Sequence, residues 1–373
     1  MKKISKTLRV LCLGILFLLS VASGASAEEM DAAELYEKSG ASGMYESLDQ
    51  DTQNLLSDAG IDSAQIEGGI TAERLMTAVS QMLKDKLAGP LKALAALVAI
   101  IVICKLTGCF EQSEIGETSG MVGTLACASV VVLPLMKLIS TAQLVIESAS
   151  VFLLASIPVY SALMVASGDV VTGGSYSILT LGTANAIPIL SSAIIIPMLN
   201  IFLALAITSA FSQTKFDKLT EKLYSFTKWI LVLLVTLFSG VLSIQTLLNM
   251  QADSATSKAA KLIASSAIPI VGGAFGDALA AIKSSMQVVK SGVGAFGILA
   301  SLCIFLPVIT ETVFWVAVCG VGEIAAELFD ASRIGKFMST CTSVGKMILA
   351  VVISTAAGSV VCAAVVLFLK GSL

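Results

Sequence analysis

The feature that most constrains this chain is a long uncharged run, because residues 170–214 contain no Asp, Glu, Lys or Arg. As an α-helix the run would be roughly 68 Å long at 1.5 Å per residue, whereas the hydrocarbon core of a bilayer is about 30 Å thick. The run is too long for one membrane crossing and about right for two. We therefore predict a tight helical pair, or a broken helix, in the middle of a membrane domain.

Four residues within this run indicate where it departs from a plain helix. Pro188 and Pro197 supply breaks, since proline removes a helical hydrogen bond and clashes with the preceding turn. Asn185 and Asn200 carry amides that lipid cannot satisfy. We expect Pro188, Pro197 and Asn200 to shape the interior of the bundle.

The composition supports a membrane protein throughout most of the chain. Of the 373 residues, 56% are hydrophobic and 13% are charged, whereas a soluble domain carries about 25% charged residues. The mean hydropathy is +0.92. We predict an all-α polytopic membrane protein.

The residue types present exclude several kinds of catalytic site. Histidine is absent, which excludes Ser-His-Asp and Cys-His arrangements and every His-ligated metal or haem. None of the eight cysteines forms a C-x-x-C pair, and we interpret them as small apolar packing residues. We therefore predict no catalytic residues, no cofactor and no metal site.

The first 87 residues divide into two segments before the membrane domain of residues 88–373. Residues 1–27 combine a basic start, an apolar stretch and an Ala-Ser-Ala cleavage site, which predicts a cleavable signal peptide; an uncleaved anchor is the alternative. Residues 28–86 carry 13 acidic and 4 basic residues. We interpret residues 28–87 as an acidic, helical, extracytoplasmic module, either a loosely folded spacer or a docking segment for an extracytoplasmic partner.

The apolar segments of residues 88–373 predict a bundle of about seven or eight transmembrane helices. Residues 71–87 have the pattern of an interfacial helix, and Gly89-Pro90 separates them from a first span at 91–104. Later spans include 120–139, 144–166, 229–248, 292–309, 312–329 and 344–369. Two crossings within residues 170–214 would place the lysine-rich segment 215–228 in the cytoplasm, as the positive-inside rule favours.

Three acidic residues lie within or between these apolar spans, namely Glu147, Glu311 and Glu323. A charge at the bilayer centre costs about 2.5–3.5 kcal/mol on insertion scales, so retained acids usually face a bundle interior or an aqueous cavity. The alternative is that all three lie near interfaces and are solvated. Together with Asn185 and Asn200, they are the candidate functional polar residues.

A glycine motif at residues 292–297 matches G-x-G-x-x-G. The dinucleotide-binding motif requires a preceding strand and a βαβ unit, but here an apolar helix follows. We interpret these glycines as positions of close helix contact.

Several segments resemble one known family. The first is Ile187-Pro188-Ile189-Leu190, which runs on to Asn200. The second is the linker from Phe216 to Trp229, which leads into residues 238–245. The third is Lys258-Ala259-Ala260-Lys261, which leads to residues 268–273 and on through residues 275–278 to Lys290 and Gly294. With the predicted signal peptide and acidic module, the order of features is similar to the stage III sporulation protein AE family of endospore-forming bacteria.

The resemblance implies a role in sporulation. The family belongs to a multi-protein assembly that links the mother cell to the engulfed forespore across two membranes and resembles specialised secretion systems in part. The implied partners are membrane ring proteins, a cytoplasmic ATPase and the lipid bilayer, without nucleic acid. The implied location is the outer forespore membrane, and the implied function is that of a non-enzymatic channel component supporting forespore development after engulfment.

Two other functions remain open from the residues themselves. A secondary permease for a small solute would use Glu147 or Glu311 as a coupling site. An intramembrane enzyme is disfavoured, because histidine is absent and no paired catalytic aspartates are evident.

Overall fold

A computed structural model describes residues 41–58, 72–108, 115–166, 189–211, 222–230 and 272–368, with a few isolated positions between 174 and 236. The elements are α1 (Ala41–Glu46), α2 (Gln50–Asp58), α3 (Ala72–Gly108), α4 (Ile115–Ala166), a π-helical turn (Ser191–Ile195) that continues into α5 (Ile196–Phe211), α6 (Gly272–Leu328) and α7 (Ser332–Phe368). The described residues contain no strand, so the predicted all-α fold is confirmed. The predicted signal peptide, Asn185 and most of the predicted span 229–248 lie outside the described residues.

Four of these helices contain stretches long and apolar enough to cross a membrane. The stretches are Thr77–Leu106, Ser119–Val165, Gly292–Leu328 and Ser332–Ala364. They support the predicted membrane protein. The described part of the chain therefore holds four such helices, against the seven or eight spans predicted for the whole domain.

The lower number follows partly from helices that continue where breaks were predicted. Helix α4 includes both predicted spans 120–139 and 144–166, and α6 includes both 292–309 and 312–329. In α4 the polar residues between the two spans stay helical. Ser140 donates a hydrogen bond to the carbonyl of Met136 at 3.2 Å, and Thr141 donates one to the carbonyl of Lys137 at 2.9 Å. Hydroxyls bonded to the preceding turn need no other partner, so this polar segment does not end the helix.

The predicted break at Gly89-Pro90 is also absent. Helix α3 runs from Ala72 to Gly108 with Pro90 inside it, so the predicted interfacial helix and first span form one element. A proline inside a helix costs about 3 kcal/mol. Burial of Leu97 and Ile101, both 0% exposed, stabilises the continuous helix, because tertiary packing supplies most helical stability in proteins.

The two longest helices exceed the thickness of one bilayer. Helix α4 has 52 residues and α6 has 57, or roughly 78 and 86 Å at 1.5 Å per residue. Tilts of membrane helices range from about 0 to 40°, which cannot fit such lengths within a core of about 30 Å. Part of each helix must therefore lie outside the hydrocarbon layer.

Helices α6 and α7 form an antiparallel hairpin with a tight turn. Asp330 adopts a left-handed conformation with φ of 52°, and the amide of Ala331 donates a hydrogen bond to the carbonyl of Ala326 at 2.7 Å. This is the hydrogen bond that closes a helix with a left-handed residue after its end. Aspartate tolerates that conformation better than most non-glycine residues, so the turn reverses the chain within three residues.

One hydrophobic core runs through the described helices and includes part of the acidic segment. Met44 and Leu56, both 0% exposed, lie in the same cluster as the membrane helices, and the rings of Tyr45 and Phe296 are 6.4 Å apart. The acidic side chains of α1 and α2 remain exposed. Residues 41–58 are therefore amphipathic and pack on the bundle through their apolar face; the domain boundary at residue 87 stays a prediction.

Candidate functional site: a charged cleft between three helices

The structure places the candidate acidic residues in three different environments. Glu311 on α6 lies in a cleft between α3, α4 and α6. Glu147 is exposed on α4, and Glu323 is half-buried further along α6. The structure does not bring the three acids together, and it places Glu311 in a cleft with charged residues from two other helices.

Asn200 does not lie where we expected it. Its side chain is on the exposed face of α5, as is Pro197, whereas Leu199 and Phe202 face the core. Helix α5 continues directly from the π-helical turn at Ser191–Ile195, and such local changes in the helical hydrogen bonds accompany prolines within helices. The expected interior position of Asn200 and Pro197 is therefore wrong, and a functional role for Asn200 stays a prediction.

An ion pair joins two residues that are 225 positions apart in the chain. The Nζ atom of Lys86 lies 3.0 Å from Oε2 of Glu311. The side chains are 42% and 20% exposed respectively. A hydrogen bond between an ammonium and a carboxylate is about twice as strong as a neutral one, but partial exposure to solvent screens this pair, so it joins α3 to α6 with a modest contribution to stability.

The cleft around this pair has a volume of about 410 Å³. Its lining residues come from three helices: Lys86, Gly89 and Pro90 from α3, Leu133, Pro134 and Lys137 from α4, and Glu311 and Trp315 from α6. The first and last members of each set lie four residues apart, about one helical turn, which places the set on one side of its helix. Each helix thus contributes one charged residue, Lys86, Lys137 or Glu311, to the place where the three helices meet.

Two prolines shape the walls of the cleft. Pro90 is buried, and Pro134 is half-buried. A proline cannot bond to the carbonyl four residues earlier, so the carbonyls of Lys86 and Val130 lose their usual helical donors. A Cβ added to Gly89 would meet no atom within 4 Å, so the cleft is open on that side.

The charges of the cleft do not balance. Lys86 and Lys137 are cationic, and Glu311 is the one acidic residue among the lining residues. Within the described parts of the chain, Lys137 is exposed and has no ion-pair partner. The cleft therefore carries an excess of positive charge.

The cleft lies at a polar level between apolar stretches of the bundle. Lys137 lies near the end of the first of the two predicted spans that α4 includes, and Glu311 lies between the two that α6 includes. Charged residues between apolar segments are the kind that mark ligand or ion pathways in membrane proteins.

The side chains of the cleft are suited to binding rather than to bond-breaking chemistry. Lysine and glutamate can hold an anion, a cation or a proton, but no Ser, Thr or Cys nucleophile is among the lining residues. Across the described residues, no group of three or more His, Cys, Asp and Glu side chains is arranged to hold a metal ion.

Sequence reasoning missed three residues of this cleft as site residues: Lys86, Lys137 and Trp315. Lys86 was assigned to an interfacial helix, and Lys137 was assigned to the end of a span. One signal could have identified both lysines, since each lies within four residues of a proline in an apolar helix. That pattern indicates a charge beside a local defect in the backbone hydrogen bonds.

Comparison with known proteins gives a consistent result. Residues 59–369 match the family described as Stage III sporulation protein AE (spore_III_AE). The chain is also similar to Stage III sporulation protein AE of Bacillus subtilis (strain 168), with 27% identity over 218 residues. The aligned region covers 57% of this chain and 55% of that protein, so the match spans about half the length of the relative. No solved structure matches this chain.

Proposed function

This chain is a member of the stage III sporulation protein AE family, and we propose that it is a non-enzymatic membrane component of a channel between the mother cell and the forespore. In this proposal the protein lies in the outer forespore membrane and acts with ring-forming membrane proteins and a cytoplasmic ATPase. It supports development of the forespore after engulfment.

The observation that carries the proposal is the family match over residues 59–369, which implies a role in sporulation. The four helices of membrane-spanning length support a membrane location. The packing of residues 41–58 on the bundle is consistent with a module held close to the membrane surface, where a partner outside the cytoplasm could reach its exposed acidic face.

A deletion in the source organism tests the proposal. We expect arrest after engulfment with a small or collapsing forespore, seen by fluorescence microscopy of membrane-stained sporulating cells. Complementation with the unaltered gene is the control and should restore normal spores. Normal spores in the deletion strain would contradict a role in this channel.

The proposal includes a topology that labelling can test. Residues 215–228 should face the cytoplasm, so a cysteine introduced at exposed Ser225 should resist a membrane-impermeant thiol reagent in intact cells and react after permeabilisation. The labelling is done on growing, non-sporulating cells that produce the protein, with the cell wall removed, so that the extracytoplasmic side faces the medium. The matched control is a cysteine at exposed Ser57 in the acidic module, which should react in both conditions. Labelling of the Ser225→Cys variant in intact cells would overturn this topology.

The cleft favours a second function, a secondary permease for a small solute. Glu311 lies within a cavity and pairs with Lys86, which is the type of arrangement that couples ion and solute movement. Transport by the purified protein, reconstituted alone in vesicles, distinguishes the two functions. A permease should move a defined solute without partners, whereas a channel component should show no transport alone.

A further inference from the structure

The positive charge of the cleft lacks a counterion among the described residues. Lys86 contacts the carboxylate of Glu311 at 3.0 Å, but Lys137, which lines the cleft from α4, has no ion-pair partner among the described residues. A cleft with a net positive charge attracts anions. A bound anion would remove this imbalance and would lie beside both ammonium groups.

The mouth of the cleft opens onto an apolar surface. Leu133, in the wall, is 70% exposed, while Leu91 beside Pro90 is 52% exposed and Met136 beside Lys137 is 48% exposed. Exposed apolar side chains on membrane helices are covered by acyl chains. The cleft thus places a positive site next to a surface that fits hydrocarbon.

We propose that this cleft binds the phosphate group of an anionic phospholipid, held between the ammonium groups of Lys86 and Lys137. Glu311 holds the Nζ atom of Lys86 at the cleft, and Lys137 supplies the unbalanced charge. The acyl chains cover Leu133 and Met136. Free inorganic phosphate shares the charged group but lacks the apolar part, so the two sources can be separated.

Trp315 provides a reporter within the cleft wall. The chain has two tryptophans, so a full-length Trp229→Phe variant leaves Trp315 as the one tryptophan. This variant is reconstituted in vesicles of phosphatidylcholine and phosphatidylglycerol in equal parts, with brominated acyl chains on one lipid or the other. Bromine quenches tryptophan fluorescence on contact, so we expect stronger quenching when phosphatidylglycerol carries it.

Substitutions at two lysines test whether the preference comes from the cleft. Lys137→Gln should lower the apparent affinity for phosphatidylglycerol about tenfold, the effect of losing one hydrogen bond to a charged group. Lys137→Arg should keep the affinity. Lys92→Gln is the matched control, because Lys92 is exposed on α3 and is not one of the lining residues.

The outcomes separate the possible explanations. A preference for phosphatidylglycerol that is lost in Lys137→Gln and kept in Lys92→Gln supports the proposal. Inorganic phosphate added to detergent-solubilised protein tests the other source of the anion. If phosphate changes Trp315 fluorescence in a way that requires Lys137, and no lipid is preferred, the cleft binds an anion but the proposal that the anion is a phospholipid is wrong. Equal quenching by both lipids, with no response to phosphate, would show that the cleft is not an anion site. Equal losses of affinity for phosphatidylglycerol in Lys137→Gln and Lys92→Gln would show the same. None of these readouts depends on the proposed sporulation channel.

Discussion

Helix α6 meets two of its neighbours, α7 and α3, through contacts of different character. Against α7 it packs closely through glycines, because Gly345 contacts Val316 and Gly322 contacts Met338. Against α3 it makes an ion pair beside a cleft of about 410 Å³. The two contacts therefore have different roles. The glycine-rich contact stabilises the hairpin of α6 and α7, and the charged contact leaves space that a ligand can occupy.

Substitutions in the close contact of α6 with α4 and α7 should lower the stability of the protein more than substitutions in the charged contact of α6 with α3. A Cβ added to Gly297 would overlap the hydroxyl of Tyr160 and lie 3.3 Å from the Cβ of Ala363. We expect Gly297→Ala to lower the free energy of unfolding by about 1–3 kcal/mol, the usual effect of overpacking a core. Thermal unfolding of the purified protein in detergent measures it.

Gly320 provides the matched control on the same helix. A Cβ added there would meet nothing within 4 Å, so Gly320→Ala should stabilise the helix by up to about 1 kcal/mol through helix propensity. Equal unfolding temperatures for the two alanine variants would show that the glycines are not required for close packing.

Substitution in the charged contact between α6 and α3 should lower the free energy of unfolding by less. Glu311→Gln leaves Lys86 and Lys137 without an acidic partner in the cleft, but both lysines reach solvent or the polar surface. We therefore expect a loss of about 1 kcal/mol, as for a partly screened ion pair. A double-mutant cycle with Lys86→Gln checks this, and the second substitution should cost less than it does alone. Additive effects would show that the pair contributes nothing to stability.

Substitution of acidic and amide side chains outside the cleft should change the free energy of unfolding least. Glu147→Gln and Asn200→Leu change side chains on exposed helix faces, so each should alter the free energy of unfolding by less than about 0.5 kcal/mol. The same unfolding measurement applies. A loss as large as that of Glu311→Gln would mean that these side chains make contacts that stabilise the bundle.

Sequence patterns predicted part of this architecture well and part of it poorly. The all-α class followed from the length of the apolar runs, and the family followed from short segments such as that around Pro188. The interpretation of the glycines at residues 292–297 as contact positions holds for Gly297, which packs on Tyr160 and Ala363, but not for Gly292, where an added Cβ would meet nothing within 4 Å. Helix ends were less predictable, because Pro90 and Pro134 lie inside helices whose packing outweighs the loss of a hydrogen bond.

The cleft shows why the candidate site was found only in part. Glu311 was identified because a single acid between apolar spans is unusual. Its partner Lys86 was not identified, because it lies 225 positions away in the chain. Many other lysines also lie beside apolar segments, so the sequence does not single out Lys86. Glu147 and Glu323 carry the same local signal as Glu311, yet they lie on other faces of their helices.

By itself the sequence determined the environment, the helical class and the family, since these depend on composition, on the length of apolar runs and on local motifs. The tertiary structure decided which charged groups meet, where the backbone is interrupted and which faces remain exposed. The physical reason is that apolar stretches specify burial but not register. The register of α3 and α4 against α6 comes from close packing around residues that are far apart in the chain, and that register places Lys86, Lys137 and Glu311 in one cleft.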